Sequence, residues 1–355
     1  MAVNRDVVQV ESETYELIST YLDAHRAATL RAWAVAWEEL AAEVEAALLD
    51  LTAANATGRV ARAQILRAER LQAALQAMGP ALDRAAASVN LTLTEALRQS
   101  VQAAASAEAA IIAAQLPVQI AGAAAVPVAT AVIAADPAQI AAVIDRVTRR
   151  IESQTAPLAR EAQVAIRRQL LRGIVVGANP REAARRAMRG IEDLWTGASN
   201  RAVVIARTEM LDAHRAAAQA VDRANADVLQ EWEWSADLSP RTCRGCLAMH
   251  GRRFPLTSPG PQGHQQCRCA RRPVTKTWGE LGFAGIEEPR PLTQSAEAYF
   301  NRLSETQQRG ILGARGYEAW KAGVYPMDQW ARKQSNAGWR DSWVATVPPR
   351  GVPAA

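Results

Sequence analysis

Apolar and polar positions alternate with a helical period through most of the first half of the chain. Leu30, Trp33, Trp37, Leu40, Val44 and Leu48 recur every three or four residues, which places them on one stripe of a helix. Asn55-Ala56-Thr57-Gly58 interrupts the pattern with turn residues. Leu71, Leu75, Met78 and Leu82 resume it, and Gly79-Pro80 is expected to kink or split that helix. Thr92 and Glu95 have the spacing of a capping box and predict a fresh start. Asp136-Pro137 then offers an N-cap and a proline at the first helical position, with Ile140, Ile144, Val147 and Ile151 on one face beyond it. Gly177 reads as a helix stop, and Asn179-Pro180-Arg181-Glu182 repeats the order of cap, proline and acid. A further helix is predicted from about 200 to 226, with Val204, Leu211, Ala218 and Val221 turned inward. Stripes of Leu and Trp at this spacing are core or helix interface, and they predict long helices in the N-terminal half.

The texture changes near residue 229. Leu229-Gln-Glu231-Trp-Glu233-Trp234 alternates with the period of a strand, which would put Glu231 and Glu233 on its solvent face. Asp237-Leu-Ser-Pro240 follows as a turn, and Glu288-Pro-Arg-Pro291 reads as a linker. Ser304 and Gln307 cap a last helix, and Trp320, Trp330, Trp339 and Trp343 supply the apolar content of the tail. The fold class is therefore mainly α with a small β-containing knot (α+β). Three consecutive regions follow: an Ala-rich helical region at 1–135, a central domain at 136–280, and a small helical extension at 281–355.

Composition changes this picture in a few places. The 355 residues carry 41 Lys+Arg against 36 Asp+Glu, a net charge of +5, and only Lys276, Lys321 and Lys333 are lysine. The arginine skew and the alanine excess read as coding bias. A basic balance permits contact with nucleic acid without requiring it. Residues 109–135 are uncharged, but Pro117, Pro127 and the many alanines suit a weakly packed helix or linker better than a membrane span, so no membrane partner is expected. The opening residues lack a basic stretch ahead of an apolar core, and no signal peptide is expected. Between Asp145 and Gly190 there are 11 Arg against 4 acids. Arg149, Arg150, Arg167, Arg168, Arg185 and Arg186 are thus candidate contacts to DNA phosphates or an acidic partner, weighed against a plain solvated face.

The sharpest chemistry lies at 243–269. Cys243-x2-Cys246 is followed after 17 residues by His264-x2-Cys267-x-Cys269. Zinc takes four sulfur or nitrogen ligands in a tetrahedron, and a C-x2-C turn presents two thiolates to one ion. Cys243, Cys246, His264, Cys267 and Cys269 therefore offer five candidates for four positions, and spacing does not choose among the last three. The loop between the halves is rich in Gly and Pro, so a metal would organise it where burial could not. Disulfides are the alternative in an oxidising setting. His250, beside Gly251, reads as a surface residue, and His25 and His214 receive no role. No acidic residue occurs between Asp237 and Glu280, which favours a closed structural site over a catalytic one. A P-loop, a dinucleotide-binding glycine fingerprint and a G-x-S-x-G elbow are all absent, so the chain reads as a non-enzyme.

Taken together, Ala-Arg-Thr-Glu at 206–209, the Trp-bearing strand, Arg241-Thr242-Cys243-x2-Cys246, His264-x2-Cys267-Arg268-Cys269 and Pro273 resemble the phage Mu F-like head morphogenesis family over roughly Pro137 to Thr275. The tail from Tyr299 to Gly323 is similar to the C-terminal extension of many phage minor capsid proteins. The resemblance implies a minor head protein of a tailed phage or prophage, found in the host cytoplasm during assembly and then in the procapsid or virion. Its implied partners are the portal protein, capsid or scaffold proteins, and packaged DNA. Its implied cofactor is structural zinc on the Cys/His set. Arg207, Thr208 and Glu209 carry over as a structural family motif, read as tying its helix to the zinc segment. The competing reading is a zinc-containing DNA-binding or nuclease accessory of packaging.

Overall fold

The computed structural model describes residues 5–54, 58–117, 132–171, 174–176, 180–283, 285–289, 291, 293–335 and 340–350. Gly177, Asn179, Trp339 and most of the Ala-rich stretch lie outside them. The chain forms two compact units, each assembled from separated segments rather than from consecutive regions. One gathers Thr20–Arg98 with Asp145–Glu209, and the other gathers Met1–Ser19, Gln99–Ile144 and Met210–Ala355.

The first unit is a helical assembly. It takes portions of α1 (Arg5–Ala53), α3 (Glu69–Gln115), α4 (Pro137–Leu171) and α5 (Pro180–Ala224), with the short α2 (Arg62–Arg67) and an antiparallel pair of two-residue strands, β1 (Gly58–Arg59) and β2 (Val175–Val176). The stripe read from the sequence is the core: Trp33, Leu40, Val44 and Leu48 meet Leu71, Leu75, Met78 and Leu82, with Leu158, Ile166, Ile191 and Trp195. Trp195 packs edge-on to Trp33 at 5.5 Å, and its indole Nε1 donates to the Trp33 carbonyl at 3.1 Å. A buried indole N–H thereby finds its acceptor.

Two expected helix boundaries are absent. α3 runs unbroken through Pro80 and through Thr92, and at Gly79-Pro80 the apolar stripe on both sides is buried against the same core. Gln163 donates to the Leu75 carbonyl at 2.8 Å in the turn ahead of the proline. The helix expected at about 200–226 is the second half of α5, which starts at Pro180 as the cap pattern predicts. Asp136 caps α4 as expected, accepting from the Ala138 N–H at 2.8 Å.

The second unit holds the larger sheet. β3 (Leu229–Ser235) is the middle strand of an antiparallel sheet, with β4 (Arg253–Pro255) on one edge and β5 (Ala270–Thr275) on the other. Trp232 faces both Phe254 and Pro273 in register, and the Trp232 and Phe254 rings stack at 4.6 Å. Gln115, at the end of α3, covers β5 by donating to the Pro273 carbonyl at 2.8 Å, and Trp278 donates to the Gln115 carbonyl at 2.9 Å. The sheet departs from the expected alternation because both of its faces are covered. Glu233 is buried, not solvated: Arg272 donates to it at 2.9 Å, and Arg253 lies 3.8 Å away.

The tail is more than a helical extension. After α6 (Arg244–Met249) come α7 (Ala296–Arg302) and α8 (Glu305–Lys321), and then a hairpin of β6 (Ala331–Gln334) and β7 (Ser342–Ala345). Ser304 and Gln307 form the predicted capping box on α8. Phe300, Leu312, Tyr325 and Trp330 close a small core over Leu247 of α6. Arg244 reaches the Thr346 carbonyl through two nitrogens, at 2.8 and 3.1 Å. A Cβ at Gly245 would sit 2.9 Å from the Ala345 nitrogen, so the hairpin rests on the backbone of α6. The tail therefore braces the segment that carries the first two cysteines.

Candidate metal centre

Cys243 stands at the N-cap of α6, where its sulfur accepts the Cys246 N–H at 3.4 Å. That first turn aims both thiols the same way, toward the loop that precedes β5. His264 answers them. Its Nε2 is 3.3 Å from Cys243 Sγ and 3.5 Å from Cys246 Sγ, while Nδ1 lies 2.6 Å from the Gln265 carbonyl. Nδ1–H donates to that carbonyl, which leaves Nε2 as the metal-facing atom. Cys246 Sγ is also 3.6 Å from Cys267 Sγ.

These spacings can be compared with a metal polyhedron. Zn–S near 2.3 Å and Zn–N near 2.0 Å give tetrahedral edges of about 3.8 Å between sulfurs and about 3.5 Å between sulfur and nitrogen. The observed contacts fit those edges. Two ligand groups are formed, Cys243-Cys246-His264 and Cys246-Cys267-Cys269, joined at Cys246. All five residues picked from the sequence are thus brought together. The four thiols are free, and a sulfur separation of 3.6 Å is far outside the roughly 2 Å of a disulfide bond.

The protonation pattern is that of ligands sharing protons. The hydrogen bond from Cys246, and next the one from His264, lower Cys243 to about 4, while Cys246 moves up in return. Contact with Cys243 first, and then the charge of Cys267, lifts His264 to about 9. Cys267 is driven down by hydrogen bonds from Cys246 and Cys269, helped by the charge of Arg215. Cys269 goes up: Cys246 acts to lower it, but Cys267 and burial prevail. A cation at the centre would replace those shared protons.

Sequence reasoning missed the residues that hold the ligand loop. Arg215 of α5 is buried and donates through Nε to the Cys269 carbonyl at 3.0 Å and through Nη2 to the Cys267 carbonyl. Its Nη1 rests on Asp212 at 2.7 Å. Asp212 is gripped from the other side by Arg340 at 2.7 and 3.0 Å, and Arg340 reaches the Gly263 carbonyl at 3.3 Å. Asp212 thus anchors two guanidinium groups that take hold of both ends of the loop 263–269. Gly263 is there for close approach, since a Cβ would collide with Cys267 Sγ. The signal that could have pointed to Arg215 is its place on the inner face of α5, between Leu211 and Ala218.

His250 is not a surface residue. Its Nδ1 accepts from the Ala236 N–H at 2.9 Å, and its Nε2 donates to the Gln294 carbonyl at 3.0 Å, so it ties the end of β3 to the approach to α7. Burial first, then the charge of Arg272, holds it neutral with a value near 4. A small polar pocket opens on the cluster, lined by Arg241, Arg268 and Asp237 besides the ligands. Asp237 accepts from the Ser239 hydroxyl at 3.1 Å.

The Arg-Thr-Glu motif sits elsewhere. Glu209 is buried and is met by Arg150 and Gln154 of α4, each at 3.2 Å, while Thr208 donates to the Val204 carbonyl at 2.7 Å. Glu209 thus joins α5 to α4, and the tie to the Cys/His segment is made by Arg215 one and a half turns further on. Arg149 is paired with Asp145. Arg167, Arg168, Arg185 and Arg186 are exposed, and the first two line an open groove with Arg62, Val164 and Leu171. Among the described residues no helix is long and apolar enough to cross a membrane.

In comparison with known proteins, the family model described as Phage Mu protein F like protein matches residues 164–272. The match begins in α4, takes in all of α5 and the five ligand candidates, and ends in β5. No curated protein and no solved structure matches the chain.

Proposed function

We propose that the chain, whose residues 164–272 match the phage Mu protein F like family model, is a minor head protein of a tailed phage or prophage, bound at or near the portal and needed for head assembly and for DNA packaging or delivery. The observation that carries this reading is the extent of the family match, which covers both the buried Glu209 motif and the whole Cys/His cluster. The cluster holds a single zinc ion, favoured by a donor set of thiolates and one imidazole. Five donors for four positions leave no coordination place for a reacting water, so the ion braces the fold and the protein is not an enzyme. The test is quantitative mass spectrometry of procapsids and mature virions from the parent phage. A few copies per particle in fixed ratio to the portal are expected, and absence from both particles would overturn the reading.

One observation favours a second reading, a DNA-binding accessory of packaging. Arg62, Arg167 and Arg168 line one open groove and form no ion pair among the described residues. Binding to duplex DNA that weakens with salt, at a log-log slope of about −0.9 per phosphate contacted, would support it.

A further inference from the structure

A second buried polar cluster lies away from the metal centre and takes no part in it. Glu108 of α3 and Asp222 of α5 are almost fully buried and lie within hydrogen-bonding reach of each other. Asp222 Oδ2 accepts from Arg271 Nε of β5 at 2.6 Å. That leaves one oxygen on each carboxyl, Glu108 Oε1 and Asp222 Oδ1, with no donor. Arg271 Nη2 and His214 Nε2 are buried and unpartnered as well. His214, Arg271 and Glu108 line one small cavity of about 20 Å³, together with Glu11 and Tyr15 of α1. That is room for one water molecule.

Buried polar atoms without partners are rare, because each forfeits its hydration for nothing. Three of the four belong to residues that line one water-sized void, and the fourth is on Asp222, which Arg271 and Glu108 both meet, so they call for a common explanation. Two carboxylates side by side have no donor between them and repel, whereas a single proton gives each a partner. The groups facing this region are the acids Glu11, Glu108, Asp222 and Glu233 and the guanidiniums Arg271, Arg272 and, more distant, Arg253, with Arg215 beside His214 and itself paired to Asp212.

We propose that this cavity is a proton-and-water site: Glu108 keeps its proton and donates it to Asp222, and one bound water joins Arg271 Nη2 to His214 Nε2. Burial, followed by the nearby charge of Asp222, acts on Glu108 in the same sense and pushes its ionisation up. His214 is held in its neutral form by burial and by Arg215, which leaves a lone pair for the water. The site pins three helices to β5, since Glu11 of α1 also grips Arg272 at 2.5 and 2.6 Å. Folding then takes up one proton, and the sign is fixed: between the unfolded and the folded values of Glu108, each pH unit upward weakens folding about tenfold.

Infrared spectroscopy of the full chain at neutral pH tests the proton. The proposal expects a carbonyl band of a protonated carboxylic acid that shifts in heavy water and disappears in Glu108→Gln. Asp222→Asn is the second variant: an amide donor at 222 removes the need for the proton, and the band must vanish there too. A wild-type spectrum without the band at neutral pH overturns the shared proton, as does a band that survives in both variants. A high-resolution crystal structure tests the water. Density within hydrogen-bond distance of both Arg271 Nη2 and His214 Nε2 is expected, and a dry cavity overturns that half.

Discussion

Arg215 supports the ligand loop through the backbone, so its loss should be felt at the metal without any ligand being touched. In Arg215→Ala the carbonyls of Cys267 and Cys269 both lose their donor, and Asp212 keeps only Arg340. A hydrogen bond from a charged group is worth about 1.5–3 kcal/mol, so two of them, partly replaced by water, come to about 3 kcal/mol of lost stability. The guanidinium side chain is 6 % exposed, which leaves little solvent screening to discount. At the metal, loss of such support weakens affinity about 10- to 100-fold. Arg215→Lys separates fork geometry from charge, because an ammonium reaches one carbonyl but not both. It should recover roughly half of the loss. Competition for zinc with a chromophoric chelator measures the affinity, and thermal unfolding of the zinc-loaded chain measures the stability. An Arg215→Ala chain that binds zinc as tightly as its parent would refute the claim that this arginine positions the loop.

Three further outcomes follow from other contacts. Gly263→Ala places a methyl against Cys267 Sγ and should cost most of the metal affinity while the far-UV helical signal persists; an unchanged affinity would show that the loop yields freely. Glu209→Ala leaves Arg150 and Gln154 without their acceptor and should destabilise by about 2 kcal/mol, discounted because Arg150 is partly exposed, with Glu209→Gln losing less; urea unfolding distinguishes the two. Burial holds His25 near 4, below its ordinary value, so the unfolded chain binds its proton first as pH falls. Stability should therefore drop from about pH 6.5 toward 4 by up to about 1.4 kcal/mol per pH unit from this residue, and His25→Phe should flatten that slope in an acid titration followed by circular dichroism.

The helical core was readable because its signal is local and repeated. The stripes from Trp33 to Leu48 and from Leu71 to Leu82 name their own buried faces, and Asp136 and Ser304 announce their caps. The ligands were readable too, since thiols and imidazole at close spacing have few other uses. What failed depends on contacts remote in sequence. Pro80 reads as a break, yet burial of the flanking stripe carries the helix through it. Glu233 reads as a solvent-facing acid until Arg272 covers it. Asp212, Arg215 and Arg340 are ordinary charged residues in sequence, and they become a clamp only when α5 and the tail close on the loop 263–269. The buried meeting of Glu108 with Asp222 across more than a hundred residues leaves no local trace at all.

The measurement that bears most directly on the account is the metal content of the purified full chain, by elemental analysis together with X-ray absorption at the metal edge. The account predicts one zinc per chain in a tetrahedral, sulfur-rich shell, retained until the protein unfolds. A folded chain that holds no metal, even after refolding with zinc in excess, would contradict it.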